Sequence, residues 1–387
     1  MAAVGASPTL AITAKAKALQ AEGKSIVSFG AGEPDFDTPE PAKEACIAAL
    51  KSGFTKYTAA GGIPELKKAV VDKFKRDNGL DYKPSEVIVT CGGKHACYAA
   101  ILSVVDDGDE VLIPTPYWVS YPEMVAMSGG KPVFVPCLEK DGFRLRPEAI
   151  EKALTPKTRL LILNSPSNPT GAVLERADLE AIAEIAKKRD LIVMSDEIYE
   201  PMVYGGTKHI SIATLPGMKE RTVIVNGASK AYSMTGWRIG YAAGPGEVIA
   251  AMDAQVSHST SNVTSFAQKG AVAAYALPPE VVGGMVKAFD ERRLEIVKLL
   301  NEIPGIRCLT PGGAFYVFPN VEGTYGTHQG QKIDSAETLT NFLLEEGGVA
   351  VVHGEAFGAP GYIRLSYATS LDNIREGCKR IKETLAG

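Results

Sequence analysis

Lys230 lies in a run of small residues, Gly227-Ala228-Ser229-Lys230-Ala231, and Arg238 follows eight positions later in Gly236-Trp237-Arg238. A lysine with small neighbours can bring its amine to a carbonyl held close to the backbone, and desolvation beside apolar residues favours the uncharged form that attacks. The arginine offers a planar fork of donors suited to a dianionic phosphate. A solvated lysine in a surface loop would use the same residue types, so the reading depends on what else the chain supplies.

It supplies a matching set. An imine-forming lysine needs an aldehyde that can stabilise a carbanion, and pyridoxal phosphate is such a partner, tuned by a few protein groups. Asp196, in Ser195-Asp196-Glu197-Ile198-Tyr199, is the candidate carboxylate for the pyridine nitrogen, which it would keep protonated. Tyr199 and Asn168 are candidate donors to the phenolate oxygen of the cofactor, and Trp118 offers an aromatic face for its ring. The backbone amides of Gly93 and Lys94, with Arg238 and Ser229, are candidates for holding the phosphate. Arg364 is placed for bidentate capture of an α-carboxylate. Gly32, in the Gly- and Pro-rich run 30–39, permits close backbone approach to a small ligand. Each also has a purely structural use: Asp196 as a helix cap, Trp118 and Tyr199 as core aromatics, Arg364 in an ion pair, Gly32 in a connector.

Such residues need elements to hold them. Short apolar runs at 87–90, 111–113, 131–135, 159–164, 191–194 and 222–226 alternate with helical stretches, and 239–243 reads as a further strand. The nearly unbroken apolar run at 159–164 fits a strand covered on both faces. The alternation predicts an α/β fold whose central sheet is mostly parallel and flanked by helices. Ligands on such sheets bind beyond the carboxyl ends of the strands, and Asn164, Asn168, Asp196, Tyr199 and Lys230 all follow strand ends. Gly92-Gly93-Lys94 turns the strand 87–90 into a helix, an anion seat made of free N–H groups and a helix dipole. Before the sheet the chain predicts a helix over 11–21, a strand over 25–29 and helices over 41–52 and 64–78. A long helix over 279–300, with Glu291-Arg292-Arg293 on a solvated stretch, leads into a smaller α+β domain. That domain is expected to hold strands at 306–309, 314–318 and 349–352, a strand carrying Arg364, and helices at 335–346 and 373–385. The expected division is 1–45 as N-terminal arm and part of the small domain, 46–284 as the large cofactor-binding domain, and 285–387 as the small C-terminal domain.

Composition excludes other classes. The 387 residues carry a net charge of -4 and 45% hydrophobic residues, with no basic tract to suggest nucleic acid. No apolar run approaches the roughly 20 residues that span a bilayer. Six cysteines and five histidines are scattered without CxxC or metal-ligand spacing, so reduced thiols and no metal are expected. The N-terminus has neither a charged n-region nor an apolar h-region. The expected compartment is the cytoplasm, or a plastid if a transit peptide has been removed.

Read in order, Gly32-Glu33-Pro34-Asp35-Phe36, Pro116-Tyr117-Trp118, Asn168-Pro169-Thr170-Gly171, Ser195-Asp196-Glu197-Ile198-Tyr199, Ser229-Lys230, Gly236-Trp237-Arg238-Ile239-Gly240 and Arg364-Leu365-Ser366-Tyr367 resemble the class I aminotransferases of fold type I. The resemblance spans nearly the whole chain. The turn Gly92-Gly93-Lys94 and the segment 116–121 look like the subgroup containing aspartate and prephenate aminotransferases. The resemblance implies a homodimer with shared active sites, in which Tyr57 reaches the partner subunit's cofactor phosphate. It also implies ping-pong transamination between aspartate or glutamate and 2-oxo acids, with prephenate as a further acceptor, giving arogenate.

A dicarboxylic substrate needs a second cation besides Arg364. No arginine lies between Arg238 and Arg292, where some relatives supply one from the partner. Lys94 matches the lysine that similar enzymes use for the distal carboxylate, and Thr13 matches a threonine of prephenate-active ones. Relatives carry a longer arm with Lys-Pro-Ser where this chain reads Gly5-Ala6-Ser7. Alternatives on the same fold are a broad or aromatic aminotransferase and a pyridoxal-phosphate C–S lyase. The aminotransferase-like domain of a transcription regulator would need a DNA-binding module upstream, and Gly32 comes too early for one.

Overall fold

The computed structural model describes Gly5 and residues 8–386. Seven apolar segments form one sheet: β1 (Val87–Cys91), β2 (Glu110–Thr115), β3 (Lys131–Pro136), β4 (Thr158–Asn164), β5 (Ile192–Asp196), β6 (Thr222–Gly227) and β7 (Ile239–Ala243). Their spatial order is β1-β7-β6-β5-β4-β2-β3. The pairs from β3 across to β6 are parallel, and β7 runs antiparallel to both β6 and β1. Six strands therefore point one way, as the β/α alternation requires. Every residue of β6 and β7 is buried, and helices cover both faces of the sheet through two apolar clusters, one around Ile101 and Met252 and one around Leu179 and Ile182. The register sets Asn164 beside Asp196, and Asp196 beside Val225, so the carboxyl ends of β4, β5 and β6 are level. That alignment is what brings their following residues together.

Two helices, Gly246–Ser259 and Ser265–Tyr275, follow β7. The second buries small residues, Ala267, Gly270, Ala271 and Ala274, whose modest hydrophobicity gives no sharp apolar stripe. A Cβ at Gly270 would stand 2.9 Å from the carbonyl oxygen of Ala42, so close helix packing explains that glycine.

The C-terminal part is built on a three-stranded antiparallel sheet in which Ile363–Ser366 lies between Val352–His353 and Tyr316–Val317. Val27–Ser28 pairs in parallel with Val349–Ala350, so the chain's beginning is tied to its end. Three expectations need correction. Segment 306–309 is not a strand; Arg307 makes only an isolated bridge to Asn320. The single strand expected over 349–352 is interrupted at Val351, and its halves join different sheets. Arg292 and Arg293 are not merely solvated. Arg292 forms a two-pronged pair with Asp35 at 2.6 and 3.0 Å, while buried Arg293 donates to the Pro311 carbonyl at 2.9 Å. Their helix, Pro279–Asn301, is continuous.

Candidate active site

The carboxyl ends of β4, β5 and β6 open onto a cavity of about 420 Å³. Lys230, Asp196, Tyr199, Asn168, Gly93, Lys94, Trp118, Ser229, Arg238, Gly32, Arg364 and Thr13 all line it. Twelve of the thirteen residues singled out from the sequence thus meet in one place; Tyr57 does not.

Lys230 sits on the four-residue helix Ala228–Ala231 that follows β6, and its Nζ donates to the Gly32 carbonyl. Burial lowers its amine pKa to about 8; Glu33 and Asp196 oppose that shift, and the cations Arg364 and Arg238 reinforce it. About a tenth of the amine is therefore uncharged at pH 7, some two orders of magnitude more than for an ordinary lysine of pKa roughly 10.4, as a nucleophilic lysine needs.

Asp196 ends β5 and is only 5% exposed, too buried for a carboxylate to stay ionised without strong donors or a cation. Its Oδ2 accepts from the Tyr121 hydroxyl at 2.7 Å and from the Cys97 thiol at 3.6 Å. Its Oδ1 accepts from the Ile198 amide at 3.2 Å. Burial still holds its pKa above the usual carboxylate range, against the Tyr121 hydrogen bond that works the other way. A protonated ring nitrogen would supply the missing cation.

Arg364 lies on Ile363–Ser366, the middle strand of its sheet, and is 3% exposed. Its Nη1 donates to Asn168 Oδ1 at 2.9 Å and its Nη2 to the Gly30 carbonyl at 2.8 Å, while its guanidinium lies 4.6 Å from the Tyr316 ring centre. The buried Nε has no partner among the described residues. A buried guanidinium with donors to spare is primed for an anion. Because Arg364 claims the oxygen of Asn168, the amide NH₂ of Asn168 is turned to donate elsewhere. The Asn168 backbone is in turn held by Asn164, whose Oδ1 accepts from its N–H at 2.8 Å. Tyr199 shares a hydrogen bond of 2.8 Å with the Tyr316 hydroxyl.

The turn after β1 explains its glycines. Gly92 has φ +85°, and a Cβ there would stand 2.9 Å from Cζ of Arg238. The N-cap of the helix Gly93–Val104 is Gly92, which has no side chain to cap it, and Gly93 and Lys94 at the helix start line the cavity beside Arg238. Arg238 itself is left-handed, with φ 56°, a strain that residues other than glycine accept chiefly where surroundings fix them for function. Its Nη1 donates to the Thr235 carbonyl at 2.8 Å. Lys94 packs its Nζ 5.1 Å from the Trp118 ring centre, and partial burial followed by repulsion from Arg238 lowers its pKa.

Tyr57 is 91% exposed and touches nothing of this cavity. The sequence pattern assigns no role to Tyr121, Cys97, Tyr316, Thr9, Lys17 or Glu33, although Tyr121, Cys97 and Tyr316 touch site residues and Thr9, Lys17 and Glu33 line the cavity. Tyr121 stands three positions after Trp118 and Cys97 three after Lys94, one helical turn in each case, and that spacing was the available signal.

The sequence pattern that defines class I and II aminotransferases matches residues 24–381. The chain belongs to that family. This aminotransferase is 50% identical over 383 residues to the aspartate aminotransferase of Bacillus subtilis (strain 168), covering 99% of this chain and 97% of the relative. It is 47% identical over 389 residues to the aspartate/prephenate aminotransferase of Nitrosomonas europaea, covering 99% and 98%. Among solved structures, the aspartate aminotransferase from Thermus thermophilus with maleate matches at a TM-score of 0.94 and 44% identity, over 99% of this chain and 97% of that one. Enzymes of this family depend on pyridoxal 5′-phosphate, and the cavity fits that group. It offers a carboxylate lacking a cation, an amine of lowered pKa, and a glycine turn that a side chain would fill beside an arginine.

Proposed function

We propose that this aminotransferase exchanges the amino group between aspartate or glutamate and 2-oxo acids in two half-reactions, with prephenate as a further acceptor. The carrying observation is the paired placement of cations: buried Arg364 and, in the same cavity, Lys94 beside Trp118. One suits the α-carboxylate and the other a distal carboxylate. The relatives named for aspartate and prephenate, and the maleate named with the Thermus thermophilus protein, support the same substrate class.

When bound, pyridoxal phosphate supplies a carbonyl that condenses with amines and a ring that withdraws electrons from the substrate Cα. Lys230 would hold that carbonyl and, with its amine free, would move the proton at the substrate Cα as general base and acid. Asp196 would hold the ring nitrogen protonated, with its carboxylate oriented by Tyr121 and Cys97. Tyr199 and the NH₂ of Asn168 would donate to the ring oxygen, and Trp118 would offer its face to the ring. The amides of Gly93 and Lys94, with Arg238 and Ser229, would hold the phosphate. Arg364 binds the α-carboxylate, Gly32 keeps the backbone close to the substrate, and Thr13 shapes the wall.

The full exposure of Tyr57 supports a homodimer in which it completes the partner's phosphate site. The parallel pairing of Val27–Ser28 with Val349–Ala350 supports grouping residues 1–45 with 285–387, apart from 46–284. All six cysteines are free, and no helix among the described residues is long and apolar enough to cross a membrane; these agree with a cytoplasmic placement.

The test is single-turnover conversion of the bound cofactor by a panel of amino acids, read by absorbance. Aspartate and glutamate should react fastest, and Lys94→Ala should lose turnover of aspartate and prephenate far more than of a neutral amino acid. Equal loss across all three would instead favour a broad or aromatic aminotransferase. Release of ammonia and pyruvate without conversion to the amine form of the cofactor would make the protein a lyase.

A further inference from the structure

The helix Pro8–Ala21 contributes Thr9, Leu10, Thr13 and Lys17 to the cavity wall. Thr9, Thr13 and Lys17 are spaced by four, which puts them on one face of the helix. Two contacts on its other sides fix the helix in rotation. Ala16 is buried in a cluster with Leu344 and Ala350, and Lys15 pairs with Glu345 at 2.9 Å. Lys17 therefore faces the cavity because the helix is anchored, and the roles described above leave it unused.

The charge balance of the cavity points the same way. Lys17, Lys94, Lys230, Arg238 and Arg364 line it, against only two acids, Glu33 and Asp196. Asp196 serves the ring nitrogen, and Glu33 accepts from the Thr235 hydroxyl at 2.9 Å. Phosphate, α-carboxylate and carbonyl account for Arg238, Arg364 and Lys230. Lys94 and Lys17 remain, neither with an ion pair among the described residues. Both line the same cavity, where an entering anion can meet either ammonium.

We propose that Lys17 is a specificity-determining residue that joins Lys94 in a two-cation seat for the distal carboxylate of a dicarboxylic substrate. This rests on the reading of acidic substrates given above. Such a seat rewards a second negative charge and offers nothing to a neutral side chain, so it discriminates without touching the reacting atoms. Lys17 is exposed whereas Arg364 is buried. Its contribution therefore acts at the outer end of the ligand and weakens with salt.

The experiment uses holoenzyme and two unreactive probes, glutarate and pentanoate, which share a chain length and differ in one carboxylate. Inhibition constants are measured for wild type, Lys17→Ala, Lys17→Arg and Lys94→Ala. Lys17→Ala should weaken glutarate roughly three- to tenfold at low salt and leave pentanoate within about twofold. Lys17→Arg should restore glutarate, and about 0.5 M salt should shrink the gap between wild type and Lys17→Ala. For aspartate the loss should fall on KM more than on kcat. An unchanged glutarate-to-pentanoate ratio in Lys17→Ala, with a lowered ratio in Lys94→Ala, would overturn the role of Lys17 and keep the acidic-substrate reading. Equal weakening of both probes would show a structural role for Lys17 and overturn the proposal. A wild type that does not prefer glutarate would overturn the acidic-substrate reading, and this inference with it.

Discussion

At Lys230 two effects compete, and burial wins. Glu33 and Asp196 favour the charged amine, yet burial, with Arg364 and Arg238, brings the pKa down to about 8. The sign follows directly: as pH rises through about 8 the amine loses its proton and becomes able to attack. Capture of pyridoxal phosphate by cofactor-free protein should therefore accelerate with pH and level off above about 8. An ordinary lysine would keep accelerating toward roughly 10.4. Stopped-flow absorbance across that range distinguishes the two, and a profile that climbs past pH 10 would show that burial does not control this amine. Much of the site's residue list was legible because Asn168, Asp196, Tyr199, Lys230, Gly93 and Lys94 lie at or just after strand ends or in a glycine turn. Their partners were not. Gly32, the acceptor of Lys230, is 198 positions away, and Tyr121 and Cys97 reach Asp196 across 75 and 99 positions. Local patterning carries no information about such pairs.

Among the elements, the decisive one is the turn from β1 into the helix Gly93–Val104. Gly92 takes φ 85° and ψ 163°, a conformation essentially restricted to glycine, and its missing Cβ makes room for Arg238. Gly92→Ala should cost about 1–3 kcal/mol of backbone strain and weaken pyridoxal phosphate binding by displacing Arg238. Thermal unfolding and a cofactor titration check the two effects separately; a variant binding cofactor as tightly as wild type would remove the turn from the phosphate site. The sheet was readable because its strands are buried on both faces and so appear as apolar runs. Elements recognised only through a partner were not. Segment 306–309 has apolar ends but meets only a single bridge, and the helix Ser265–Tyr275 packs through alanines and a glycine that no apolar period marks.

At the scale of the whole molecule, the proposed homodimer would make the active site a property of two chains. Tyr57 is 91% exposed on a chain whose own cavity it does not reach. Tyr57→Ala and Lys230→Ala, each poorly active alone, should regain activity when mixed under conditions of proven subunit exchange, because hybrids contain one site with both residues intact. Absence of recovery would confine Tyr57 to its own subunit. The central claim is that Lys230 is the lysine that holds the cofactor, and reduction of holoenzyme with borohydride followed by peptide mapping tests it most directly. The cofactor should be fixed to the peptide containing Ser229-Lys230-Ala231, with no fixation in Lys230→Ala even though that variant still binds pyridoxal phosphate. Label on any other lysine of the wild type would contradict it.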